Sequence, residues 1–90
     1  MKKILYFTAA WCGPCKTLGP VMDSLSGQIN FQKVDVDGNQ DMSIKYGVRN
    51  VPSLILVDES GVTKGRLVGM QSKEAILNFY NGEISINKNS

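Results

Sequence analysis

A chain of 90 residues with 42% hydrophobic side chains builds one small domain around a modest core. Ten basic and eight acidic residues leave a net charge of +2, too small to indicate a nucleic-acid or anionic membrane surface. No histidine is present, which removes the commonest general base and metal ligand. We therefore expect one domain that binds neither nucleic acid nor membrane, and no metal or cofactor.

The predicted elements alternate between strands and helices from the first residues onward. Residues 3–9 are apolar at nearly every position, which is typical of a strand covered on both faces. A helix should begin near Cys12 and continue to about Ser26, and a second strand covers 31–36. The remaining predicted elements are a short helix between the caps Asn39 and Gly47, a strand over 53–57, a strand over 62–68, and a helix from Ser72 to Gly82.

This element order, β-α-β-α-β-β-α, predicts an α/β fold with a four-stranded mixed sheet and three helices. The first two strands are joined through a helix, so they should run parallel through a right-handed crossover. The strand over 31–36 becomes an edge, where Lys33 and Asp35 would discourage pairing with another sheet. We assign residues 1–82 to the domain and 83–90 to a polar C-terminal tail.

The N-terminus has a basic start and an apolar run, which raises the question of a secretory signal. The run over 4–7 is shorter than the roughly 7–15 residues of a signal core. We therefore expect the protein in the cytoplasm. In that compartment a pair of closely spaced cysteines favours a catalytic function over a structural disulfide.

The chain's two cysteines lie in the sequence Trp11-Cys12-Gly13-Pro14-Cys15-Lys16, between a predicted strand and a predicted helix. A thiol at a helix start faces free N–H groups and the positive end of the macrodipole, which favour the thiolate. The thiolate is the nucleophile in disulfide exchange, so Cys12 should attack and Cys15, one turn on, should close the ring.

Two alternatives to redox chemistry fit this pair poorly. A disulfide closing so short a ring stabilises a fold by only about 2 kcal/mol in the chain-entropy model. Two thiolates without histidine and without a second cysteine pair cannot complete a tetrahedral zinc site within one chain. Thiol–disulfide exchange remains the favoured chemistry.

At these residues the chain resembles the thioredoxin family. The hexapeptide matches the family signature, Val51-Pro52-Ser53 falls where the family carries a cis-proline, and Gly69 falls in a loop that lines its substrate groove. The resemblance extends from about Lys3 to Gly82. It implies the thioredoxin-like fold, without the additional N-terminal strand and helix of longer members.

The resemblance also implies functions for individual residues. Cys12 would be the nucleophile and Cys15 the resolving cysteine. The substrate groove would comprise Trp11, Val51, Pro52, Gly69 and Met70. The residues that support the redox pair would be Trp11, Gly13, Pro14, Lys16, Tyr6 and Lys33.

Two positions depart from the family pattern. Tyr6 stands where thioredoxins usually carry a buried aspartate, which is thought to help deprotonate the resolving cysteine. Thr8 stands where many members carry a second tryptophan. The first departure bears on proton transfer from Cys15.

The function that the resemblance implies is reduction of protein disulfides by a monomer that a thioredoxin reductase recycles. One alternative is a glutaredoxin-like reductase recycled by glutathione. Glutaredoxins typically have a tyrosine in the redox turn and a threonine two residues before the cis-proline, where this chain has Gly13-Pro14 and Asn50. Another alternative is a binding subunit in which redox activity is incidental.

Overall fold

A four-stranded sheet forms the centre of this computed structural model, which describes residues 1–82. The strands are β1 (Lys3–Thr8), β2 (Phe31–Asp35), β3 (Ser53–Val57) and β4 (Thr63–Val68), in the spatial order β2-β1-β3-β4. β1 runs parallel to β2 and antiparallel to β3, and β3 runs antiparallel to β4. The predicted mixed sheet and its β2 edge are confirmed. Residues 83–90, predicted as a polar tail, lie outside the described residues.

The three helices are α1 (Gly13–Ser24), α2 (Gln40–Lys45) and α3 (Lys73–Asn81), and they cover both faces of the sheet. α1 and α3 share one face, where their side chains pack with Ile4 and Tyr6 of β1. α2 and the turn after it cover the other face, where Leu5 and Phe7 are buried. Neighbouring residues of a strand point to opposite faces, so all four residues from Ile4 to Phe7 are apolar because both faces are covered.

The helix ends differ from prediction by one or two residues, and the differences have local causes. α1 begins after Cys12, which is its N-cap, and the C-cap of α2 is Tyr46 rather than Gly47. Asn39 precedes α2 but makes no capping bond, because its side-chain amide donates instead to the carbonyl of Asp35. α3 agrees with prediction, since the Ser72 side chain accepts from a first-turn N–H.

The segments that carry the candidate site lie together at one end of the sheet. β1, β2 and β4 end there and β3 begins there, as their pairing directions require. The sequences that follow these ends are the hexapeptide after β1, Val36–Asp37 after β2, and Gly69–Met70 after β4. Val51–Pro52 leads into β3 at the same end of the sheet.

Candidate active site

The two cysteines occupy the start of α1 and form a disulfide, with their Cα atoms 5.3 Å apart. Cys12 is the N-cap residue and has an extended backbone. The backbone N–H of Cys15 donates to the Sγ of Cys12 at 3.2 Å. A free N–H at a helix start favours negative charge on its acceptor. After reduction, the same N–H would stabilise a thiolate on Cys12.

Both cysteines are buried in this disulfide form, with Cys12 5% and Cys15 4% exposed. In this form the pair is covered rather than open to solvent at the helix start. Ala9 is buried with them, and Val36 and Val51 pack against the three residues. The local sequence predicts that a helix begins at the cysteines, but it does not predict that apolar residues of two other segments pack against them.

The segment before β3 lies directly beside Cys12. The Val51–Pro52 peptide bond is cis, and the carbonyl oxygen of Val51 lies 3.6 Å from the Sγ of Cys12. The Pro52 carbonyl accepts a bond from the Gly69 N–H at 2.9 Å, and the Ser53 hydroxyl donates to the Asn50 carbonyl at 2.6 Å. These two bonds hold the proline segment in place on both of its flanks.

The loop after β4 forms one side of the expected groove. Gly69 has a φ of +86°, a backbone conformation that residues with a Cβ rarely adopt, although a Cβ there would meet no atom within 4 Å. The glycine is therefore required by the backbone and not by lack of space. Met70 follows it and is 47% exposed, so its flexible apolar side chain is available to a partner.

Trp11 forms the opposite side of the site and is 67% exposed. Its indole Nε1–H donates to the Oδ2 of Asp37 at 2.9 Å, which fixes the ring against the segment after β2. Asp37 is a site residue that was not predicted from the sequence. The sequence did offer one signal for it, an acidic residue directly after the predicted strand over 31–36, which ends at the same end of the sheet as the strand before the hexapeptide.

Tyr6 is 1% exposed, and its hydroxyl donates to the backbone carbonyl of Cys15 at 3.2 Å. This bond joins the central strand to the first turn of α1. An open cleft of about 460 Å³ lies alongside, and Tyr6, Cys15, Lys16 and Lys33 all contribute to its wall. Asp35 also lines this cleft. The supporting residues expected around the redox pair therefore divide between this cleft and the helix start.

Gly13 and Pro14, between the cysteines, are exposed in the first turn of α1. Proline at a helix start removes an N–H that has no partner within the helix. A Cβ at Gly13 would meet no atom within 4 Å, so this position leaves the surface beside Cys12 open.

Within residues 1–82, no group of three or more histidine, cysteine, aspartate or glutamate side chains is placed to hold a metal ion. Over the same residues, every helix is too short or too polar to cross a membrane.

Comparison with known sequences gives a consistent result over nearly the whole chain. The sequence model of the thioredoxin family matches residues 1–82. A thioredoxin of Haemophilus influenzae is 39% identical over 85 residues, covering 90% of this chain and 78% of that protein. A thioredoxin of Rickettsia felis is 35% identical over 82 residues, covering 87% and 77%. The chain therefore spans about three quarters of the length of these relatives.

Solved structures agree with the sequence relatives. A mutant thioredoxin from Halobacterium salinarum superposes with a TM-score of 0.84 at 35% identity, over 97% of this chain and 78% of the other. A thioredoxin pre-protein of Schistosoma mansoni superposes with a TM-score of 0.81 at 33% identity, over 92% and 79%. Taken with the disulfide at the start of α1, these matches show that the chain belongs to the thioredoxin family and is a thiol–disulfide oxidoreductase.

Proposed function

We propose that this protein reduces disulfides of other proteins, with Cys12 as the nucleophile and Cys15 as the resolving cysteine, and that a thioredoxin reductase returns it to the dithiol form. The observation that carries the proposal is the N–H of Cys15 directed at the Sγ of Cys12 at 3.2 Å. Cys12 alone occupies the N-cap, so the helix start favours its thiolate over that of Cys15.

The reaction proceeds in two exchanges. The Cys12 thiolate attacks one sulfur of the substrate disulfide, forming a mixed disulfide and releasing the other sulfur as a thiolate that takes up a proton. Cys15 then loses its proton and attacks the Sγ of Cys12. This second attack breaks the mixed disulfide, releases the remaining substrate thiolate and leaves the Cys12–Cys15 disulfide. Two electrons pass from the protein to the substrate.

Substrate binding uses the exposed surface around the buried pair. An extended polypeptide can pair with the backbone of Val51, since the N–H of Val51 donates to no backbone carbonyl within residues 1–82. Trp11 and Met70 then offer apolar contacts on its two sides. Cys12 is buried in the disulfide form, so we infer that this surface guides the substrate sulfur to it.

The proton of Cys15 leaves by a route that this chain does not share with the family pattern. A phenol hydroxyl is a poor proton acceptor, and the Tyr6 hydroxyl already donates to the Cys15 carbonyl. Cys15 lines the open cleft beside Tyr6 and Lys33. We therefore assign the proton to water in this cleft or to the departing substrate thiolate.

The test compares electron donors on one substrate. Insulin reduction, followed by turbidity, should proceed with NADPH and a thioredoxin reductase and should be slow with glutathione and glutathione reductase. Faster reduction with glutathione would contradict the reductase assignment and favour the glutaredoxin alternative.

A trapping experiment tests the two cysteine functions separately. The Cys15→Ser variant should accumulate mixed disulfides with substrate, while Cys12→Ser should not. A Cys12→Ser, Cys15→Ser double variant that retains the protein's cellular function would instead indicate a binding subunit.

We also propose a cytoplasmic location, where thiols are kept reduced, and cell fractionation tests it.

A further inference from the structure

A second recess adjoins the redox site on the side away from Gly69. It encloses about 260 Å³ between the Trp11 ring, the end of β2 and the segment that leads from α2 to the cis-proline. Its lining residues are Trp11, Val36, Ser43, Val48, Arg49, Asn50 and Val51. The proposed function uses only Trp11 and Val51 of this set, so the remainder of the recess has no assigned partner.

The size of the recess indicates what it can hold. Small-molecule sites usually enclose about 300–1,000 Å³, so this recess is too small for a whole ligand and suits one side chain. It adjoins Val51, whose carbonyl lies 3.6 Å from the Sγ of Cys12. A side chain that enters it must therefore belong to a polypeptide whose cysteine is close to Cys12.

The chemistry of the lining selects among side chains. Val36, Val48 and the Trp11 ring provide apolar surface, and Arg49 is the one charged residue in the lining. Within residues 1–82, Arg49 forms no ion pair and no side-chain hydrogen bond. The carboxylate of Asp37 accepts from the Trp11 indole N–H and does not line the recess.

From this arrangement we infer that the protein prefers disulfide substrates with a glutamate within two residues of the attacked cysteine. The methylene groups of that glutamate lie against the apolar lining, and its carboxylate pairs with the Arg49 guanidinium. The inference rests on the proposed function, since it specifies which disulfide substrates react fastest. In an extended peptide, side chains two residues apart are about 7 Å from each other, so positions within two residues of the cysteine cover the recess.

A single-turnover assay with matched peptides tests the inference. Each peptide has one cysteine joined by a disulfide to 2-thiopyridine, and glutamate, glutamine or lysine at one of the two positions on either side. The reduced protein is mixed with each peptide, and thiopyridone release gives a second-order rate constant. We expect glutamate to react about two- to fivefold faster than glutamine at one or more positions, with lysine the slowest.

Variants assign the preference to Arg49. Arg49→Gln should remove the difference between glutamate and glutamine, and Arg49→Glu should favour lysine. The control Lys64→Gln removes an exposed cation at the start of β4, far from the site, and should keep the preference. Added salt should shrink it, since partly exposed charges are screened.

The outcomes separate this inference from the proposed function. Equal rates for glutamate and glutamine at every position, or a preference that persists in Arg49→Gln, would overturn the inference alone. Failure of the reduced protein to release thiopyridone from any peptide would overturn the proposed function and the inference with it.

Discussion

Tyr6 is a buried tyrosine next to the redox pair, and its contacts indicate what it contributes to the structure. The side chain is buried in the core on the α1 face, and its hydroxyl bonds to the carbonyl of Cys15. A carboxylate at this position could accept a proton, whereas the tyrosine donates one hydrogen bond to the backbone. This bond therefore ties α1 to β1, and we propose that Tyr6 does not act as a base.

Tyr6→Phe should lower the free energy of unfolding by about 0.5–1.5 kcal/mol, the usual contribution of one hydrogen bond. The rate of mixed-disulfide resolution should change by less than about twofold, because the lost hydroxyl accepted no proton. Urea denaturation measures the first quantity. Stopped-flow fluorescence of Trp11, the chain's single tryptophan, measures the second. A tenfold slower resolution would mean that Tyr6 takes part in the chemistry.

Tyr6→Asp should speed resolution while lowering stability. A carboxylate near Cys15 can accept its proton before the second attack, so the step no longer depends on water in the cleft. The same carboxylate replaces a packed aromatic ring and is buried, which destabilises the fold. The same stopped-flow comparison applies, and a resolution rate equal to that of the wild type would show that proton removal does not limit this step.

Among the loops, the one after β4 places a glycine where the backbone needs it. Gly69→Ala should lower the free energy of unfolding by about 1–2 kcal/mol, because a left-handed φ is unfavourable for a residue with a Cβ. Gly13→Ala is the matched control, since it lies in α1 with equal space around its Cβ, and it should not be destabilised. Equal losses in the two variants, measured by urea denaturation, would contradict this account.

The hairpin between β3 and β4 depends on Asp58. Its Oδ1 accepts from the N–H groups of Val62 and Ser60, at 3.0 and 2.8 Å. The bond from Val62 is the main cause that holds the pKa of Asp58 below its ordinary value, with Ser60 and Lys64 acting in the same direction. A lowered pKa in the folded state means that this stabilisation is present above the unfolded pKa and is lost as pH falls through the folded value.

Asp58→Asn should therefore lower the urea midpoint at neutral pH, because the amide is a weaker acceptor for the two N–H groups. The difference from the wild type should begin to shrink below about pH 4, near the unfolded pKa of the carboxyl, and should disappear once pH falls through its lowered folded pKa. Urea midpoints measured across this range provide the check. A difference that stays constant down to the lowest pH would show that the charge of Asp58 does not contribute.

At the scale of the whole molecule, the site lies at one end of the sheet, beside the termini of all four strands. The hexapeptide, the cis-proline segment, and the loops after β2 and β4 meet there because β1 is parallel to β2 and antiparallel to β3. The elements and their order could be predicted from the sequence, because each shows an apolar period or a continuous apolar run bounded by turn residues. The helix start at Cys12 could be predicted for the same reason.

Contacts between distant segments could not be predicted in this way. The Trp11–Asp37 bond joins residues 26 positions apart, and the Tyr6–Cys15 bond joins a strand to a helix that covers it. The burial of Cys12 depends on Val36 and Val51, which approach it only after the sheet has formed. These features follow from tertiary packing, and local sequence patterns do not indicate which distant residues come into contact.

The central claim is that Cys12 is the nucleophile because α1 begins at it, and alkylation of the reduced protein tests this most directly. Iodoacetamide labelling at neutral pH, read by mass spectrometry of the two cysteines, should modify Cys12 about tenfold faster than Cys15 or more. The two residues are nearly equally buried in the disulfide form, so a difference of this size reports the favoured thiolate. Equal labelling, or faster labelling of Cys15, would contradict the account.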